Sequence, residues 1–202
     1  MPGLFFYWTA WVGWVIFTFF MEKGRTRTEM ALVVLGTIAF SSTTFTIHDI
    51  PINFSMVILL FYGYRKLAKF RRSSFLFAAG VCQVIALAYV GFFMYCLYDP
   101  AILWLDRKWM TAILIFLLVQ FLVKSFSLRC LATVVGVIHG NLLLAWIMNG
   151  YFVPMEAGSL TFFDLLAACL GMIAVWRGYE EFTSQLNAFF KRAFSQKRHY
   201  SK

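Results

Sequence analysis

Residues 75–97 read FLFAAGVCQVIALAYVGFFMYCL, a run of 23 residues without a charged side chain. A helix rises about 1.5 Å per residue, so a helical run of this length covers the roughly 30 Å hydrocarbon core of a bilayer. The run ends at Asp99 and Pro100, where a helix that leaves the membrane can stop. This stretch predicts a membrane-spanning helix.

The composition of the whole chain is also that of a membrane protein. Of its 202 residues, 61% are hydrophobic and 13% are charged, and the mean hydropathy is +0.75. These values lie far from those of soluble domains. A chain of this length has room for about seven crossings and for no sizeable soluble domain beside them. The composition excludes a globular enzyme, a nucleic-acid-binding domain and a secreted disulfide scaffold.

Seven apolar segments follow one another along the chain. The predicted spans are residues 4–21, 30–47, 52–64, 75–97, 109–123, 130–148 and 160–176. The third is short, so it either continues into the basic stretch 65–70 or forms a re-entrant pair with its neighbour. Residues 101–105 are too few to cross and suit the membrane interface. We therefore expect an all-α integral membrane bundle of about seven transmembrane helices.

Lysine and arginine are distributed unevenly over the connections. If all seven segments cross, sixteen of the eighteen basic residues fall on one side, and only Arg107 and Lys108 fall on the other. Positive residues beside membrane spans are retained in the cytoplasm, which predicts an amino terminus outside and a carboxyl terminus inside. The basic loops are expected to contact anionic lipid headgroups, so the positive net charge indicates no nucleic-acid partner.

A few strongly polar side chains lie within or beside the predicted spans. They are His48, Asp49, His139, Asn141 and Asp164. Because such groups are costly in hydrocarbon, each needs a partner or a function. One hypothesis is a polar cavity between the second, sixth and seventh segments, open to the extracytoplasmic side, that holds a small cationic or hydrogen-bonding ligand or relays protons. The alternative is a set of separate interhelical hydrogen bonds, with His48 and Asp49 wetted at a turn.

Small residues recur at helical spacing in the last two spans. Ala132, Gly136 and Gly140 are four residues apart, so they lie on one face along which another helix can approach closely. In the seventh span, Asp164, Ala168 and Gly171 share a face in the same way. This spacing predicts that helix packing turns the carboxylate of Asp164 inward.

The sequence contains no motif that predicts catalysis or a cofactor. The four cysteines, Cys82, Cys96, Cys130 and Cys169, fall in apolar stretches and show no C-x-x-C spacing. A His-Glu-x-x-His pattern, a Gly-rich phosphate loop and a Gly-x-Ser-Gly setting are also missing. We expect no enzymatic activity, no cofactor and no metal site.

The carboxyl-terminal residues 179–202 predict an amphipathic helix rather than another crossing. Apolar side chains recur at helical spacing among charged ones, at Phe182, Leu186, Phe189, Ala193 and Phe194. The chain is thereby divided into a transmembrane bundle, residues 1–178, and a cytoplasmic helix with a basic tail. This helix either lies on the cytoplasmic leaflet or docks onto a cytoplasmic partner.

The opening aromatic run, residues 5–11 (FFYWTAW), is followed by an early basic loop, several short spans and a basic tail. In this order of features the chain resembles the YphA family of small membrane proteins from spore-forming Gram-positive bacteria. The resemblance implies a cytoplasmic membrane location and a sporulation-related role. It carries no catalytic residue over to this chain.

These features together favour a non-catalytic membrane component of an envelope or sporulation-related process, in contact with the lipid bilayer and with other membrane proteins or copies of itself. A small-solute binding or transport subunit, built around the polar cavity, is the second hypothesis. An intramembrane enzyme is the third.

The predicted orientation can be tested with reporter fusions at each connection. We expect reporters that are active only in the cytoplasm to work after residues 23, 69, 125 and 199, and not after residue 105, because of the charge distribution. A carboxyl-terminal tail located outside would overturn this orientation.

Overall fold

The computed structural model describes residues 1–151 and 153–199. Within them the chain forms seven α-helices and one β-hairpin. The helices are α1 (Leu4–Val15), α2 (Arg25–Ala39), α3 (Phe54–Leu67), α4 (Arg72–Tyr98), α5 (Arg107–Leu122), α6 (Phe126–Gly150) and α7 (Leu160–His199). A π-helical segment, Ile16–Phe20, extends α1, and a short 3-10 helix, Pro100–Ile102, lies between α4 and α5.

The helices fall into two length classes. Among the described residues, α4, α6 and residues 160–187 of α7 are long and apolar enough to cross a membrane. The helices α2, α3 and α5 have 15, 14 and 16 residues. A helix of 14 residues rises only about 21 Å, less than the roughly 30 Å of the hydrocarbon core. Three spans therefore follow from length and composition, and seven spans stay a prediction.

The packing of α4 against α6 lies at the centre of the fold. A Cβ atom at Gly136 would lie 2.8 Å from Cβ of Ile85 and 2.9 Å from the carbonyl oxygen of Cys82. At Gly140 it would lie 3.0 Å from the carbonyl oxygen of Ala86. Ala132, one turn earlier, is fully buried. The small residues that the sequence places on one face of α6 are thus the residues at which α4 approaches most closely.

The predicted second span is wrong beyond residue 39. The helix α2 ends at Ala39, and the chain continues into two antiparallel strands, β1 (Thr44–Ile47) and β2 (Ile50–Asn53). His48 and Asp49 join them with φ angles of 48° and 64°, the positive values that a two-residue hairpin turn requires. β1 alternates Thr and Phe and ends in Ile, residue types that favour extended backbone. The all-α expectation therefore fails at this hairpin.

The helix α7 runs through the predicted boundary at residue 178. It has 40 residues and is therefore about 60 Å long, roughly twice the thickness of the hydrocarbon core. The segment expected as a separate carboxyl-terminal helix is thus a direct continuation of the last span through residue 199. The final residues of the predicted basic tail, 200–202, lie outside the described residues.

The contact between α4 and α6 can be tested with Gly136→Ala. The added methyl group collides with Ile85 and with the backbone of α4, so we expect the free energy of unfolding in detergent to fall by about 1–3 kcal/mol. Gly150→Ala is the matched control, because a Cβ atom there meets no atom within 4 Å. Equal losses in the two variants would contradict the close approach.

Candidate functional site

Most polar side chains singled out by the sequence lie at one end of the bundle, here called the hairpin end. It comprises the β-hairpin, the first turns of α1, α5 and α7, and residues 153–159 before α7. Backbone hydrogen bonds tie the hairpin to this loop, since the N–H of Asn53 donates to the carbonyl of Ala157 over 2.9 Å. The N–H of Ala157 in turn donates to the carbonyl of Pro51 over 2.8 Å.

Asp164 caps the amino terminus of α1. Its Oδ2 atom accepts a hydrogen bond from the N–H of Gly3 over 2.9 Å, and its Oδ1 atom accepts one from the N–H of Phe6 over 2.8 Å. The first N–H groups of a helix have no partner inside the helix, and a negative charge is favoured at that end. Gly3, at the N-cap position of α1, has no side chain to serve as a cap. Asp164, which is only 3% exposed, replaces the missing local cap.

The helix α5 meets the same carboxylate. The Nζ atom of Lys108 lies 3.9 Å from Oδ2 of Asp164 and 5.3 Å from the ring centre of Trp109. Trp109 packs edge-on against Phe5, with 5.6 Å between the ring centres. The carboxylate of Asp164 therefore joins the first turns of three helices, α1, α5 and α7.

Gly3 makes this junction sterically possible. Its φ angle of 88° lies in the left-handed region, which side-chain-bearing residues rarely adopt. A Cβ atom at this position would also lie 3.2 Å from Cβ of Leu160, the first residue of α7. Glycine thus allows α1 to begin directly against α7, within reach of Asp164.

Asn141 on α6 holds the loop that precedes α7. Its Oδ1 atom accepts a hydrogen bond from the N–H of Gly158 over 2.8 Å, and its Nδ2 atom donates to the hydroxyl of Tyr89 over 3.1 Å. The residue is 1% exposed, so both ends of its carboxamide are satisfied away from water. This contact links α6, α4 and the loop.

Asn53 and Ser41 form a further polar cluster, which the sequence analysis missed. Oδ1 of Asn53 accepts from the N–H of Ser55 over 3.0 Å and caps α3, and Nδ2 donates to the carbonyl of Ser41 over 2.7 Å. The hydroxyl groups of Ser41 and Tyr7 lie 2.6 Å apart. Asparagine is a favoured N-cap residue, so its place at the start of the third apolar segment was the available signal.

The other three polar candidates do not share these contacts. His139 is partly buried on α6, and its Nε2 atom shares a hydrogen bond with the hydroxyl of Tyr64 on α3. His48 and Asp49 form the turn of the hairpin and are exposed.

The structure therefore does not bring His48, Asp49, His139, Asn141 and Asp164 into one polar cavity. It distributes them over separate contacts and an exposed turn, as in the alternative interpretation. The cavity hypothesis placed His48 and Asp49 at the end of a helix, whereas they form the exposed turn of the hairpin.

A second charged cluster lies at the opposite end of the bundle, here called the basic end. The buried Arg129 donates from Nε to the carbonyl of Val123, over 2.6 Å, just after α5 ends. Its Nη1 atom lies 3.2 Å from Oε1 of Glu180, which also accepts from the indole N–H of Trp176 over 2.8 Å. From the sequence, Arg129 is one of the basic residues in the connections between spans, but in the structure it caps α5 and binds α7.

A pair of charged contacts joins α2 and α3 at the basic end. Glu29 accepts hydrogen bonds from both Arg65 and Lys66, the latter over 3.0 Å. Its side chain is 17% exposed, so this carboxylate is largely enclosed by the two basic residues.

Gly171 does not take part in helix packing. A Cβ atom at Gly171 would meet no atom within 4 Å, although Ala168, one turn earlier, is buried. Gly171 lies instead in an open groove of about 570 Å³ between α1, α5 and α7. Aromatic and aliphatic side chains line this groove, including Phe5, Phe116 and Val175.

The described part of the chain holds no group of three or more His, Cys, Asp or Glu side chains that could bind one metal ion. Its most enclosed carboxylate, Asp164, has both oxygen atoms occupied by backbone N–H groups. In this arrangement, polar side chains form hydrogen bonds with the backbone N–H and C=O groups at helix ends, which lipid cannot do.

Comparison with known proteins gives one consistent result. A family model described as "YphA-like integral membrane protein" matches residues 2–199. A relative from Bacillus subtilis (strain 168), "Uncharacterized protein YphA", is 29% identical over 205 residues, which cover 96% of this chain and 96% of the relative. No solved structure matches.

The cap on α1 can be tested by substitution of Asp164. Asp164→Leu leaves two buried N–H groups without partners, and we expect the free energy of unfolding in detergent to fall by about 2–4 kcal/mol. Asp164→Asn keeps one acceptor but turns its NH2 group toward the other N–H, so it should cost less than the leucine variant, about 1–2 kcal/mol. Asp49→Asn is the control. It should change little, because residue 49 is exposed and Asn, like Asp, tolerates the positive φ angle at this position. If Asp164→Leu were as stable as the native chain, the cap would not hold α1.

Proposed function

Because this chain belongs to the YphA-like integral membrane protein family, whose model covers residues 2–199, we propose that it is a non-catalytic structural component of the bacterial cytoplasmic membrane. In this proposal the bundle acts through its lateral surfaces, by contact with lipid and with other transmembrane segments. It neither transports a solute nor performs chemistry.

The observation that supports the proposal is that Asp164 caps the amino terminus of α1. A carboxylate that relays protons or binds a cation in a membrane must meet water or the ligand and exchange partners during the cycle. Both oxygen atoms of Asp164 instead accept hydrogen bonds from the backbone of α1. A change of partner there would leave the start of α1 unsatisfied, so the geometry favours a permanent structural role.

We also propose that the bundle crosses the membrane seven times, with the hairpin end outside and the basic end in the cytoplasm. Asp164 and Glu180, which anchor α7 at the hairpin end and at the basic end of the bundle, are sixteen residues apart. This separation corresponds to about 24 Å along a helix, slightly less than the hydrocarbon thickness of about 30 Å. The short helices α2, α3 and α5 match this spacing, and their basic ends can reach the headgroups.

We extend the role to an envelope or sporulation-related process. A deletion strain, scored for envelope integrity and spore yield, tests this assignment. We expect Asp164→Asn to rescue the deletion strain and give it the native phenotype, because a scaffold needs a cap rather than an ionisable group.

A flux assay distinguishes the scaffold from the transport hypothesis. The native protein and Asp164→Asn are reconstituted into vesicles that contain a pH-sensitive dye, and a pH gradient is applied with K⁺ and valinomycin present. We expect both proteins to collapse the gradient at the rate of protein-free vesicles, because the carboxylate is engaged in the fold.

Vesicles treated with a protonophore serve as the positive control. Proton flux through the native protein that disappears in Asp164→Asn would contradict the scaffold and favour a transport subunit.

A further inference from the structure

The helix α4 has two faces of different character. Cys82, Ile85, Ala86 and Tyr89 face α6 and are buried. On the other side of the helix, Gly80, Gln83, Leu87 and Gly91 are exposed. Their spacing of three, four and four residues places these four on one stripe of the helix surface, here called the α4 stripe.

The two glycines of the α4 stripe have open space beside them in the described part of the chain. A Cβ atom at Gly80 or Gly91 would meet no atom within 4 Å, in contrast to Gly136 and Gly140, which α4 approaches closely. Glycine weakens a helix interior, and in a membrane helix it is useful where another backbone comes near. The α4 stripe has this feature without a neighbour in the described part of the chain.

Gln83 is the second and independent feature of the α4 stripe. It lies two residues from the middle of α4, or about 3 Å along the axis. Its side chain makes no hydrogen bond within the described residues, although α4 is apolar and long enough to cross a membrane. At this depth a lipid-facing carboxamide meets no water, so both its donor and its acceptor lack partners.

We propose that the α4 stripe is the interface of a parallel homodimer, in which the carboxamides of two Gln83 side chains bind each other. All copies of a membrane protein share one orientation, so a two-fold axis normal to the membrane brings each residue opposite its own counterpart at the same depth.

A group that pairs with its own copy must both donate and accept hydrogen bonds, and a carboxamide does both. A second copy of the chain therefore supplies both of the partners that Gln83 lacks, and it is the occupant that we propose. Gly80 and Gly91, on either side of Gln83, let the two backbones approach closely enough for the pair to form. The dimer goes beyond the proposed function and requires only that α4 spans the membrane.

Cysteine cross-linking of the full-length protein in native membranes tests the dimer. Leu87→Cys places a thiol on the α4 stripe one turn from Gln83, and oxidation should give a covalent dimer. Leu117→Cys on α5 is the matched control, since Leu117 and Leu87 are 49% and 56% exposed. The unmodified chain controls for its own cysteines, of which Cys82, Cys96 and Cys169 are buried. Equal cross-linking at Leu117, or none at Leu87, would overturn the proposal.

Gln83→Leu tests the hydrogen-bonded pair itself. Energy transfer between donor- and acceptor-labelled copies, measured over a range of protein-to-lipid ratios, gives the dimer dissociation constant. An interhelical hydrogen bond in a membrane contributes roughly a 3- to 20-fold change in affinity, so Gln83→Leu should raise the constant by about that factor. The melting temperature of this variant in detergent should stay near the native value, because Gln83 is exposed and makes no hydrogen bond within the described residues. An unchanged dissociation constant would overturn the Gln83 pair.

Discussion

The bundle depends on one buried contact, the carboxylate of Asp164 against the first turn of α1. A helix that begins in or near lipid presents N–H groups that no solvent satisfies, and α1 begins at a glycine that offers no cap. The partner comes from the far end of the chain, on α7, and α5 closes over it with Lys108. The contact satisfies the start of α1 and joins its first turn to those of α5 and α7.

The same principle recurs at other helix ends. Asn53 caps α3 within the hairpin, Asn141 fixes the loop before α7, and Arg129 caps the end of α5 while it binds Glu180. Several polar side chains of the bundle are thus used on backbone groups of a neighbouring element. The surfaces that face outward are apolar, apart from features such as Gln83 on the α4 stripe. A protein built in this way acts on its surroundings by lateral contact, which is the basis of the proposed scaffold role.

The sequence predicts the long elements well and the contacts between them poorly. Uninterrupted apolar length identifies α4, α6 and α7, and the family resemblance carried by the opening aromatic residues is confirmed. Four-residue spacing places Gly136 and Gly140 on one face, where the structure brings α4 close. The hairpin is missed because Phe45 and Ile47 of β1 follow α2 after only a short polar turn, so they extend the apparent span. The separate contacts of Asp164, Asn141 and His139 could not be predicted, because hydropathy indicates depth in the membrane but not which direction a residue faces.

The most direct test of the account is the state of one backbone amide, the N–H of Phe6, measured by NMR and hydrogen exchange on the protein in bicelles. If Asp164 caps α1, this proton is shifted downfield and protected from exchange, and Asp164→Leu abolishes both effects while the amides in the middle of α4 stay protected. A Phe6 amide in the native protein that exchanges as fast as the free end of a frayed helix would contradict the account.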